Sequence, residues 1–297
     1  MKAMMVKKRL FSRILERREV KVPKIKENEV LIKVCAVGVN RGDIIDVAKG
    51  VDGVCPGLEC SGIIEAVGRN VNCWKIGQRV CAILEGGGYA EKVAVPASFL
   101  LPLPDNIDLD DAAGLPYASC TLLLALFKLH DPKTSEKKIV LIREGTSAIG
   151  VLAIQYAKYM GFTVIASTGV DLVLDYEASD LHRNIQCCRH RGKVVIVDLH
   201  GTKSTLIDLS ILQLNHVEIK VVDLRSKDLG YKNSLIIELR THLWAAVLQQ
   251  KVVPAIKLRF PVIESQTALD ILRDDDSSGK IVVCMNFEQN SGHLKMS

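Results

Sequence analysis

Ile139-Val-Leu-Ile-Arg-Glu-Gly-Thr-Ser-Ala-Ile-Gly150 joins three local signals in twelve residues. Ile139 to Ile142 is a continuous apolar run, as a parallel strand covered on both faces requires. Gly145 to Gly150 supplies a turn, and Ile149 to Tyr159 continues with apolar residues at helical spacing. Phe162-Thr-Val-Ile-Ala166 then reads as a second strand. Strand, glycine turn, helix and strand in this order form the opening unit of a dinucleotide-binding sheet. Glycine would let the backbone approach a pyrophosphate while the amides of the next helix face it. The spacing is G-x-x-x-x-G with Ala148 inside, so an ordinary strand-to-helix turn stands beside cofactor binding as a reading of the spacing. A P-loop is excluded, because Val151 and Leu152 occupy the places of its Lys and Ser/Thr. Ser147 is not a nucleophile elbow, since G-x-S-x-x-G has one residue too many.

Before this unit the chain reads differently. Glu29–Val37, Ser61–Val67, Trp74–Leu84 and Tyr89–Val95 are short strand-like runs punctuated by Gly38, Gly68 and Gly86 to Gly88. They predict a small barrel-like β domain. Leu103 to Pro116 holds a turn and a capped short helix, and Ala118 to Leu129 an apolar helix. After the glycine turn, strands are expected at Asp171–Leu174, Lys193–Val197 and Glu218–Val222, with a helix near Leu235–Gln249. Lys280–Cys284 is a closing strand, and the polar tail after Phe287 is expected to fray. The expected organisation is a first domain over 1–117, a nucleotide-binding domain over 118–250, and a return over 251–297.

The 297 residues are 48% apolar and 25% charged, which excludes disorder for the bulk of the chain. No stretch approaches the ~20 apolar residues of a membrane helix. The first thirty residues alternate basic and apolar without the hydrophobic block of a signal peptide. Residues 1–33 carry eleven Lys or Arg against four Glu, although the whole chain is only +5. A basic arm for nucleic acid or membrane and a solvated strand edge both fit, and sparse cues for a basic patch favour the edge. Nine cysteines, an odd count, fit the reducing cytosol and a cytoplasmic protein. Cys55, Cys60, Cys73 and Cys81 are spaced x4, x12 and x7, unlike the paired knuckles of structural zinc. No metal is expected.

Several stretches resemble the medium-chain dehydrogenase/reductase superfamily, and within it the zinc-independent zeta-crystallin-type quinone oxidoreductases. They are Gly38-Val-Asn-Arg-Gly-Asp43, Gly57-Leu-Glu-Cys-Ser-Gly62, Gly86-Gly-Gly-Tyr-Ala-Glu91, Ala112-Ala-Gly-Leu-Pro116, Leu224-Arg-Ser-Lys227 and Gly279-Lys-Ile-Val-Val283. Asn40 and Leu58 stand where the zinc-dependent branch has metal ligands. The resemblance implies an α/β chain, with a GroES-like β-barrel catalytic domain and a Rossmann-type doubly wound sheet, here truncated. It further implies hydride transfer from NADPH to a quinone or electron-poor enone, with no nucleic-acid or membrane partner. Asn40 and Tyr89 are then the catalytic candidates, and Thr121 lies at the nicotinamide. Gly145, Thr146, Ser147, Ala148, Ile149 and Gly150 hold the pyrophosphate, with Gly201 lining the cofactor. Subunits of this family commonly pair along the edge of the nucleotide sheet, where Glu218–Val222 could serve a homodimer. Each candidate has a plainer reading: Tyr89 as a packed strand residue, Asn40 as a turn cap, Thr121 as ordinary helix.

The chain departs from that family after Phe162–Ala166. Asp171 begins the next strand almost at once, where relatives hold some three dozen further residues. Ser167 to Val170 reach only about 10 Å, too short to return along a strand of ~17 Å. The short link therefore predicts that one strand shifts, or that the two form a hairpin about residues 167–170. The missing piece normally grips the adenosine ribose and its 2′-phosphate, and Val170 and Asp171 take the place of a Lys. The loop Lys49–Cys55 is also short. An NADPH-dependent reductase and a catalytically silent, shortened relative both remain open on the sequence.

Overall fold

The computed structural model describes residues 1–10, 12–127, 139–165, 169–176, 178, 180–197, 204–274 and 279–287. The chain opens with a hairpin, β1 (Lys2–Lys8) and β2 (Arg13–Glu19), paired antiparallel throughout. Its basic residues sit on a solvated edge, as the plainer reading expects. Lys7 pairs with Glu16 and Arg18 with Asp52, while Met4, Val6 and Leu15 are buried. There follow β3 (Glu29–Gly38), α1 (Arg41–Lys49), β4 (Glu59–Val67), β5 (Arg79–Ile83), β6 (Lys92–Pro96) and β7 (Leu100–Pro102). Two short helices come next, α2 (Leu109–Ala112) and α3 (Pro116–Leu122). The Asp108 side chain accepts from the first amides of α2, which is the cap expected there. The apolar helix expected from Ala118 is α3 continued by a π-type turn over Leu123–Phe127, and residues 128 and 129 lie outside the described ones.

The second half holds β8 (Ile139–Ile142), α4 (Ala148–Tyr159), β9 (Thr163–Ile165), β10 (Val170–Asp175), α5 (Leu181–Cys187), β11 (Cys188–Ile196), α6 (Leu209–Asn215) and β12 (Glu218–Val221). These strands make one parallel sheet in the order β12-β11-β10-β8-β9. Side chains alternate between its faces, as the period of two requires. Leu172, Leu174, Val195 and Val197 enter the main core, while Val173, Val194 and Ile196 form a second cluster with α5. The helix expected over Leu235–Gln249 is two helices, α7 (Leu229–His242) and α8 (Trp244–Leu248), broken at Leu243. The chain ends with β13 (Ile256–Pro261), α9 (Ser265–Asp274) and β14 (Lys280–Cys284).

β14 returns to the first sheet, whose order is β13-β14-β3-β4-β5-β7. It pairs antiparallel with the end of β3, setting Val282 opposite Gly38, while β6 takes the start of the same strand. Val282 and Val283 are fully buried. The first unit is thus completed by residues from the far end of the chain. Trp244 fastens the second unit to it by donating its indole N–H to the Pro102 carbonyl at 2.9 Å.

The expectation about the short link is overturned. β9 and β10 are both parallel to β8 and flank it, with Ile165 opposite Leu141 and Leu172 opposite Val140. The reach estimate assumed a five-residue strand to be retraced, and β9 has three. Val170 starts about three residues' rise below Ile165 and two strand spacings across, so the return needs roughly 14 Å. Five Cα steps supply about 17 Å. No hairpin forms, and the sheet keeps its parallel sense.

Gly57 and Gly77 both take positive φ, +112° and +88°. A Cβ on Gly57 would lie 2.6 Å from the Gly88 Cα, whereas nothing lies within 4 Å of one on Gly77. Gly77→Ala is expected to cost about 1–2 kcal/mol, the strain of the left-handed backbone alone. Gly57→Ala should cost clearly more, because two backbone segments must separate. Urea midpoints of the two variants check this, and equal losses would reject the close-approach argument.

Candidate functional site

A cavity of about 550 Å³ lies between the two sheets. One wall is formed where β10, β11 and β12 end, by Tyr176, Val197 and Val221 to Arg225. The carboxyl ends of parallel strands are where open α/β sheets bind ligands. Ser147, Ala148 and Ile149, at the start of α4, also line it. Ser147 caps that helix by accepting the Gly150 N–H at 3.0 Å. First-turn amides of a helix have no partner within it, so the positive end of α4 opens on the cavity. A side chain at Gly150 would meet the Glu144 carbonyl at 2.2 Å, so only glycine lets the helix start this close to the turn. Ser147 also forms a parallel bridge with Gly279, the residue before β14.

The opposite wall carries Asn40, Arg41, Gly42 and Lys280. Asn40 stands at the N-cap position of α1, and its backbone N–H donates to Asp43 Oδ2 at 2.8 Å. Its side chain turns away from the helix. Nδ2 donates to the Gly38 carbonyl at 3.0 Å and to Glu59 Oε1 at 2.9 Å. Lys280 Nζ donates to Asn40 Oδ1 at 2.8 Å and pairs with Glu59 Oε1 at 2.7 Å. The backbone N–H of Tyr117 reaches Glu59 Oε2 at 2.9 Å. The Lys280 side chain is 9% exposed and that of Glu59 fully buried, so each charge depends on the other. Arg225 closes the side of the site by donating to the Gly42 carbonyl at 3.0 Å and pairing with Asp46.

Of the residues expected from sequence, Asn40, Thr121, Ser147, Ala148 and Ile149 line this one cavity. Thr121 is 6% exposed and its hydroxyl donates to the Tyr117 carbonyl at 2.9 Å. Gly145 and Thr146 belong to the adjoining turn and Gly150 to the first turn of α4, and none of the three lines the cavity. Tyr89 is placed elsewhere. Its ring is fully buried in the β core, and its hydroxyl faces Asp43 Oδ2 at 3.4 Å. Tyr89 does not line the cavity, and its polar end points to Asp43. Gly201 lies outside the described residues.

Lys280, Glu59, Arg225 and Tyr176 were not singled out from the sequence as site residues. A signal for the first two existed: each is a charge at the start of an apolar strand run, where only an opposite charge relieves burial. Asp43 is fully buried, and burial pushes its carboxyl up to about 7, against the Asn40 N–H and the Lys280 charge that pull it down. Its Oδ1 has no hydrogen-bond partner among the described residues. Among the described residues, no three His, Cys, Asp or Glu side chains gather as a metal site. No helix there is long and apolar enough to cross a membrane.

Residues 26–105 match the alcohol dehydrogenase GroES-like domain family. The chain is 31% identical over 216 residues to the quinone oxidoreductase of Sus scrofa, a match covering 65% of this chain and 64% of that one. It therefore spans less than two thirds of that relative's length. It is 30% identical over 237 residues to the trans-enoyl reductase TOXD of Cochliobolus carbonum, covering 65% of this chain and 80% of the relative. The fold superposes on the quinone oxidoreductase of Thermus thermophilus, solved also in complex with NADPH, with a TM-score of 0.80 and 26% identity. That superposition covers 96% of this chain and 100% of the other.

Two outcomes follow from the buried charges. Removing the Lys280 ammonium leaves the Glu59 carboxylate buried without its cation, so Lys280→Met should cost about 3–5 kcal/mol in urea unfolding. Adding Glu59→Gln should recover part of that loss. Asp43 binds its proton more tightly folded than unfolded. Its contribution is fully present below the ordinary value of 3.8 and lost as pH rises to about 7. The melting temperature should thus fall between pH 5 and 7, and Asp43→Asn should flatten that fall; equal slopes in the two proteins would reject the assignment.

Proposed function

The chain belongs to the medium-chain dehydrogenase/reductase family, and on that footing we propose that it is an NADPH-dependent oxidoreductase acting on quinones or related electron-poor enones. The observation that carries this reading is the cavity between the sheets, with the start of α4 on one side and Asn40 and Lys280 on the other. Its volume of about 550 Å³ lies within the usual range of cofactor and ligand pockets. The donor set fits a dinucleotide, since a capped helix N-terminus attracts a pyrophosphate and mostly apolar walls suit a nicotinamide ring.

NADPH, when bound, supplies the hydride. Ala148 and Ile149 would hold its pyrophosphate through backbone N–H groups, with the Ser147 hydroxyl beside them at the helix cap, since the Ser147 N–H is taken by the Glu144 carbonyl, and Thr121 would flank the nicotinamide. The acceptor gains negative charge on an oxygen as hydride arrives. Preorganised positive groups in a dry site stabilise such charge without reorganising. Lys280 brings an ammonium to this wall, and Asn40 fixes its position by accepting one of its N–H bonds. Asn40 itself has both amide hydrogens engaged, so it positions the lysine and Glu59 rather than the substrate. Leu58, Tyr117 and Leu224 line a smaller adjoining pocket of about 140 Å³ that would receive the acceptor's apolar body. β12 is an edge strand with Val221 exposed, which supports pairing with a second copy of the chain.

Thermal unfolding of the full chain with NADPH tests the reading. NADPH at a hundred times its dissociation constant should add about 2.7 kcal/mol, a rise of about 5 °C. Consumption of NADPH with 1,4-benzoquinone or a simple enone should follow, with NADH run as the comparison. A cooperative transition moved by neither nucleotide would reject the cofactor and leave a catalytically silent relative.

A further inference from the structure

The basic excess of residues 1–33 takes no part in the cavity, and the fold sorts its cations into two sets. Lys7 pairs with Glu16, and Arg18 with Glu16 and Asp52. Lys8, Arg9 and Arg13 gather instead at the closed end of the β1–β2 hairpin, where the Arg9 N–H donates to the Ser12 carbonyl at 2.8 Å. All three are exposed, and so is Lys49 at the end of α1. The hairpin tip and that helix end are joined. Arg13 donates to the Ala48 carbonyl at 2.9 Å, and the Lys8 N–H to Asp52 Oδ1 at 3.1 Å. Among the described residues, none of the four cations forms an ion pair. The carboxylates of the neighbouring elements are committed elsewhere: Glu16 and Asp52 as above, and Asp46 to Arg225. Beside these cations stand two apolar side chains, Leu10 at 87% exposed and Val51 at 73%.

We propose that the hairpin tip and the end of α1 form a docking surface for the anionic phospholipid face of a membrane. Exposed cations without counter-charges are drawn to anionic headgroups, and an apolar side chain among them enters the headgroup boundary. The contact is peripheral, since no helix among the described residues is long and apolar enough to cross a membrane. A second copy of the chain does not fit this surface, because like charges would face each other. The phosphates of a nucleic acid would meet the cations but leave Leu10 and Val51 in water, whereas a lipid surface covers both. The surface also stands close to the cavity. Arg41, Gly42 and Ile45 of α1 line the cavity, and Lys49 lies roughly 10 Å beyond Gly42 along the same helix. On the reductase reading above, an acceptor apolar enough to dissolve in lipid is met at this face; the docking itself does not depend on that reading.

The test sediments the full chain with vesicles of phosphatidylcholine mixed with phosphatidylserine, and with vesicles of phosphatidylcholine alone. The chain should bind the mixed vesicles at a salt concentration of ~0.15 M and be released at ~1 M, where charges are screened within about 3 Å. Each cation near an anionic surface strengthens binding about fivefold, so Lys8→Gln, Arg9→Gln and Lys49→Gln together should weaken it about a hundredfold. Leu10→Ser should weaken it about tenfold through lost apolar contact. Melting temperatures should stay level in both variants, because these side chains have no partner to lose. Wild-type chain that fails to sediment with the mixed vesicles overturns the proposal. So does equal binding to the two kinds of vesicle, binding that survives ~1 M salt, or either variant binding as well as wild type. A chain that binds a duplex oligonucleotide and not the vesicles has a nucleic acid as its occupant, which overturns it too. NADPH enters none of these measurements, so their failure leaves the reductase reading standing, and failure of that reading leaves the docking standing.

Discussion

The buried pair of Lys280 and Glu59, bridged by Asn40, is the contact around which the two halves of this chain are organised. Glu59 begins β4, Asn40 precedes α1, and Lys280 begins the last strand. Neither charge would tolerate its surroundings alone, since an isolated buried ion costs far more than any single contact returns. The pair therefore specifies where β14 must enter the first sheet. Once β14 is there, Gly279 is fixed against Ser147, and the start of α4 is set facing the wall that carries Asn40. One electrostatic requirement thus positions the cavity's two sides.

The second sheet shows how a short parallel sheet is kept when little chain is available. A crossover to a parallel neighbour ordinarily takes a dozen residues or more. Here the strand before the link has three residues and the strand after it begins low, so the return is brief. The consequence appears in burial. β10 and the end of β11 are enclosed on both faces, whereas β8, beside the three-residue strand, has only Val140 fully buried. The strand ends that face the cavity, at Tyr176, Val197 and Val222, keep their common level, and this is what the site requires.

Polar groups divide between those the fold consumes and those left for a ligand. Asn40 has both amide hydrogens engaged within the protein and its oxygen accepts from Lys280, and Tyr89 is sealed in the core against Asp43. Residue type and family likeness mark both as chemical candidates; Asn40 lines the cavity, while Tyr89 does not. Lys280 and the helix start at Ser147 face the cavity with capacity to spare.

The sequence by itself determined the local elements. Alternation gave β3 and β4, the continuous apolar run gave β8, helical spacing after Ser147 gave α4, and the charged apolar stretch from Lys280 gave β14. These follow from side-chain period and capping, which act over a few residues. The glycine turn and the quoted stretches also pointed to the family. Only the tertiary structure decided that Lys280 meets Glu59, that Tyr89 and Tyr176 are core, and that β9 and β10 flank β8. Each of these depends on which residues from distant parts of the chain share one burial environment. Burial and charge compensation are settled by packing between elements, and local periodicity carries no record of the partner.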